Sequence, residues 1–71
     1  MSHHVVSDLV ANVLSISVSA GDRVSAGDEI ALLESMKMEI PVLTEVDGVV
    51  SEVKVEPGDV VQEGDILAIV D

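Results

Sequence analysis

The stretch Val13 to Leu33, VLSISVSAGDRVSAGDEIALL, returns at Val50 to Val70 as VSEVKVEPGDVVQEGDILAIV. An offset of 37 residues (50 against 13) aligns the two without a gap. It matches Val13 with Val50, Val18 with Val55, Val24 with Val61 and Ala31 with Ala68. It also carries Gly21, Asp22, Gly27 and Asp28 onto Gly58, Asp59, Gly64 and Asp65. Working outward, the same shift pairs Val5 with Val42 and Glu34 with Asp71. A duplication at constant offset predicts two copies of one β unit, related most simply by a pseudo-two-fold axis.

Within each copy the pattern is that of short strands and tight turns. Leu14, Ile16 and Val18 alternate with Ser15, Ser17 and Ser19, which predicts a strand burying the three apolar side chains. Val5-Val6 reads as a brief strand, residues 1–4 as a loose end or the lead-in to that strand, and Glu29 to Leu33 as a further strand. Gly21, Gly27, Gly58 and Gly64 are expected to supply positive φ or close backbone approach in turns. The aspartates that follow them lack the spacing of a calcium loop. They are expected to accept local backbone hydrogen bonds instead. His3 and His4 are adjacent, so a strand would send them to opposite faces, and with no third ligand nearby they make a poor metal site.

Composition narrows the function. Apolar residues make up 48% of the 71-residue chain, fifteen of them Val, with no aromatic residue and no Cys. A core of Val, Ile and Leu without disulfides or thiolate metal sites follows, in one domain spanning residues 1–71. Fourteen carboxylates against three Lys and Arg give a formal charge of −11. Such a chain cannot neutralise nucleic-acid phosphates or adhere to an anionic membrane. No apolar run is long enough to span a bilayer and no secretory leader is visible, so the expectation is a cytoplasmic monomer. None of the carboxylates pairs with a His or nucleophile in a catalytic arrangement, and the chain is expected not to be an enzyme. Lys54, between Glu52 and Glu56, reads as a solvated cross-strand charge, and Arg23 as an ordinary turn residue. Pro41 places its strand at a sheet edge or a bulge.

One stretch is left over. The join between the copies (about 1–34 and 38–71) reads Glu34-Ser35-Met36-Lys37-Met38-Glu39. The only two methionines after the initiator bracket one of only two lysines. Met is a flexible filler of cores, but here charges on both sides should hold it near the surface. The pseudo-dyad predicts Lys37 on a tight hairpin at one tip, with the chain termini at the other.

The run ESMKME, flanked on both sides by G-D-x-V-x-x-G-D, resembles the biotinyl domain of biotin-dependent carboxylases, and most closely the small free-standing biotinylated proteins of mycobacteria and their relatives. The resemblance implies a flattened barrel of two four-stranded antiparallel sheets. It implies biotin amide-linked to Lys37 by a biotin protein ligase, with Met36, Met38, Glu34, Glu39 and Ser35 read by partners. It further implies that the tethered biotin carries carboxylate between a biotin carboxylase and a carboxyltransferase. Family members often have Gly where this chain has Ala11, and Gly48 is expected as the turn glycine of the second copy. The Pro-rich thumb of some acetyl-CoA carboxylase carriers has no counterpart between Leu9 and Asp22. A lipoyl domain shares the fold and a hairpin lysine but usually reads D-K-A, and an unmodified barrel acting as an interaction module is the other alternative.

Overall fold

The computed structural model describes residues 2–71. Eight strands follow in chain order: β1 His3–Val6, β2 Ala11–Ile16, β3 Arg23–Val24, β4 Glu29–Ser35, β5 Met38–Leu43, β6 Gly48–Val53, β7 Val60–Val61 and β8 Ile66–Val70. They form two four-stranded sheets, β1-β8-β6-β3 and β5-β4-β2-β7, with every paired neighbour antiparallel. This is the all-β architecture expected from the repeat.

The offset of 37 residues is written into the hydrogen-bond registers. His3 faces Val70 in one sheet and Ile40 faces Leu33 in the other. Val13 faces Leu33, and its counterpart Val50 faces Val70. Val24 opposite Gly48 repeats as Val61 opposite Ala11. Turn chemistry repeats as well. The Ser19, Ser25, Glu56 and Gln62 amides each donate at 2.9 Å to the carboxylate of Asp22, Asp28, Asp59 and Asp65 respectively. Beside each of these aspartates a glycine has φ between 91° and 98°. Ser7 and Thr44, both buried, donate to the carbonyls of Leu9 and Val46 and thereby satisfy their hydroxyls inside the fold.

Two clusters make the core, and each draws on both copies. One holds Val5, Val24, Ile30, Ala31, Val50, Ala68 and Val70; the other holds Ala11, Val13, Leu33, Val61 and Leu67. With no aromatic residue available, β-branched and small side chains fill the thin space between the sheets.

Four expectations need correction. β1 begins at His3, not Val5: His3 and His4 face Val70 and Ile69, so this part of the lead-in is already strand. Leu14 points outward at 38% exposure, because a bulge between Val13 and Ser15 inserts an extra residue and shifts the alternation; the buried side chains of β2 are Ala11 and Val13. Gly48 opens strand β6 rather than occupying a turn, and is needed for another reason: a Cβ there would collide with the Asp71 backbone oxygen. Lys54 pairs with Glu52 of its own segment, Nζ to carboxylate 2.8 Å, rather than across strands. Pro41 lies on β5, an edge strand, where its missing N–H costs no ladder bond.

Candidate functional site

The join between the copies is a two-residue hairpin. β4 and β5 stay in register to their ends, with Leu33 facing Ile40, Glu34 facing Glu39 and Ser35 facing Met38. Met36 and Lys37 alone turn the chain, at φ 52° and 65°. Positive φ at both central positions is the signature of a type I′ turn, whose twist matches that of the flanking strands. Such turns are normally built from Asn and Gly. An L-residue in this region costs about 1–2 kcal/mol, so the hairpin holds strain that the long β4–β5 ladder must offset. The two-residue gap between Ser35 and Met38 was the available signal, since that loop length demands a primed turn whatever residues fill it.

The turn forces its side chains outward. Met36 is 92% and Met38 62% exposed. Lys37 and Glu39 are exposed, and Glu34 and Ser35 half-buried. Glu34 and Glu39 stand directly opposite each other, a like-charge pair that weakens the ladder next to the turn. Neither forms an ion pair with Lys37: among the described residues the salt bridge is that of Lys54 with Glu52. The Lys37 amine is thus presented in solvent, unclaimed by either neighbouring carboxylate.

One shallow cleft runs between β1 and β5, from His3 and His4 to Ile40 and Pro41, and another lies along Lys54 to Ile66; the hairpin lines neither. No group of three His, Cys, Asp or Glu suited to a metal occurs among the described residues. Gly21, Gly27, Gly58 and Gly64 sit in the turns of the barrel and Gly48 beside the C-terminal residue, so the structure brings none of them to the lysine. An amine this exposed suits a group held by a covalent bond rather than by burial.

The geometry defines a class, a small β-barrel that presents one lysine at a strained hairpin. The family model described as "Biotin-requiring enzyme", the biotin/lipoyl domain, matches residues 4–70. The biotinylated protein TB7.3 homolog of Mycobacterium leprae is 53% identical over 99% of both chains. Among solved structures, the urea carboxylase of Kluyveromyces lactis matches all of this chain over 6% of its own length, with a TM-score of 0.94 and 28% identity. The lipoyl domain of the 2-oxoglutarate dehydrogenase complex from Azotobacter vinelandii gives a TM-score of 0.74 and 29% identity over 87% of this chain and 78% of its own. This chain belongs to the biotin/lipoyl attachment family.

Proposed function

We propose that the protein is a biotin carboxyl carrier, with biotin joined to Lys37. The observation that carries this reading is the amine held in solvent between two exposed methionines at the two-residue turn. A biotin protein ligase supplies biotinyl-adenylate. The neutral Lys37 amine attacks its acyl carbon, AMP leaves with the bonding electrons, and the nitrogen gives up a proton as the amide forms. A lysine side chain in water is an ammonium, so the ligase must also take up a proton to free the attacking electron pair. Acylation removes the positive charge. When bound, biotin supplies a ureido nitrogen able to accept carboxylate from a biotin carboxylase and release it at a carboxyltransferase. Tethering keeps its concentration high at both sites.

Met36 and Met38 offer adaptable apolar contacts to these partners, with Glu34, Ser35 and Glu39 alongside. Biotin rather than lipoate is favoured by the Met-Lys-Met sequence and by the closer match of the carboxylase domain. The protein acts as a carrier and as a substrate of the ligase rather than as a catalyst, working as a monomer in the cytoplasm, with residues 1–71 a single attachment domain. Intact-mass spectrometry of the protein from its host should show one biotin increment mapping to Lys37. Lys37→Ala should lose it completely while keeping the unfolding midpoint of the wild type. A lipoyl increment, no increment, or label retained by the folded mutant would refute the assignment.

A further inference from the structure

Because the two copies share one backbone, each serves as a control for the other, and their outer faces differ. In the sheet that carries Lys37, Leu32 lies between buried Ala31 and Leu33 and so points outward, with Pro41 opposite it. Leu14 joins them through the bulge, and Val60, 66% exposed, faces Asn12 on the next strand. At the equivalent places the other sheet keeps an apolar Ile69 for Leu32 but has Ser51 for Leu14, His4 for Pro41 and Arg23 for Val60. The charges separate in the same way. Arg23, His3 and His4 lie on strands of the other sheet and Lys54 directly follows its β6. The Lys37 sheet has no cation within its strands, and Glu29, Glu34 and Glu39 border its apolar centre.

We propose that this outer face, centred on Leu14, Leu32 and Pro41, is the docking surface for the ligase that modifies Lys37. The partner surface it fits is an apolar platform edged with Arg and Lys. A second copy is the wrong occupant, since each chain carries a formal charge of −11 and the same three carboxylates. Between the ligase and the carboxylase enzymes, reach decides. An enzyme acting on the bare amine must hold the protein within one lysine side chain of the turn. Enzymes that use the attached biotin are reached through its longer arm and need not grip this face. The face begins one residue pair from the turn, at Glu34 and Glu39. The inference rests on the carrier reading.

The test is steady-state biotin transfer by a biotin protein ligase that modifies the wild-type chain. The variant Leu14→Ser/Val60→Arg gives this face the residues of the other sheet. It should raise KM about tenfold with kcat unchanged, a loss of roughly 1.4 kcal/mol in binding. Val60→Arg alone, at an exposed site that cannot unfold the barrel, should raise KM by a smaller factor. Added NaCl should raise the wild-type KM by screening the opposed charges. The converse variant, Ser51→Leu/Arg23→Val, should leave both constants unchanged. Unaltered KM in the first two variants, or an equal rise in the converse variant, would overturn the docking surface and leave the carrier reading standing. A wild-type chain that no biotin ligase labels would overturn both.

Discussion

The hairpin end and the terminal end of this barrel are equivalent under the repeat, yet they are built on opposite terms. At the hairpin, Glu34 faces Glu39, carboxylate against carboxylate, and two L-residues turn the chain at positive φ. A shift of 37 residues carries Glu34 to Asp71 and Ser2 to Glu39. There, the Ser2 hydroxyl donates to the Asp71 carboxylate. One end satisfies its groups; the other leaves a lysine unpaired, two methionines bare and two like charges opposed. Local stability has been given up only at the end that presents Lys37. The glycine turns sharpen the point. Their φ values of 91–98° lie beyond the +50° to +70° basin open to L-residues. Met36 and Lys37, at 52° and 65°, lie inside it. Side chains are accommodated, at a cost, in the turn that carries Lys37.

The comparison can be broken first at a glycine. At Gly21, φ is 98° and an added Cβ would meet nothing within 4 Å, so Gly21→Ala tests backbone strain alone. It should cost about 1 kcal/mol or more, lowering the unfolding midpoint by ~4–8 °C, without altering biotin transfer to Lys37. A midpoint that does not fall would mean that these turns do not depend on glycine. Met36→Gly is the converse. It relieves strain at the hairpin but adds freedom to the unfolded chain, for a net gain of roughly 0.5 kcal/mol. Biotin transfer should slow at the same time, because the methionine contact is lost. Greater stability together with faster transfer would show that Met36 has no recognition role.

The repeat made most of the fold legible before any coordinates. Once Val13 is set on Val50, a single offset relates the paired registers of one sheet to those of the other, and two like sheets follow. Lys37 stood out because Met36 and Met38, core fillers by type, sit together at the join between charges that hold them near the surface. What was hidden is local and geometric. The alternation of Leu14, Ile16 and Val18 with serines looks like a regular strand, and nothing in the residue types marks the bulge that turns Leu14 outward. Gly48 looks like a turn glycine, whereas its role is set by the Asp71 carbonyl, distant in sequence. The unlike outer faces were present in the alignment of the copies but meant nothing until the inward and outward sides were known.

The smallest expected effect lies at the terminal end and is separable by pH. The Ser2 hydroxyl, which donates to the Asp71 carboxylate, is the largest cause holding that carboxyl below its usual value of 3.8, with the Ser51 hydroxyl a lesser one. A carboxyl whose pKa is depressed by folding stabilises the folded state above its unfolded value, and that contribution is lost as the pH falls through the folded one. Ser2→Ala removes the largest cause. Its unfolding midpoint should therefore sit slightly below that of the wild type at neutral pH, with the two curves converging as both carboxyls protonate below pH 3.8. The hairpin offers the contrast, because Glu39, the counterpart of Ser2, donates nothing to Glu34. A difference between Ser2→Ala and wild type that persisted unchanged in acid would mean that Ser2 acts through packing, and that the two ends differ in their turn geometry but not in how their carboxylates are satisfied.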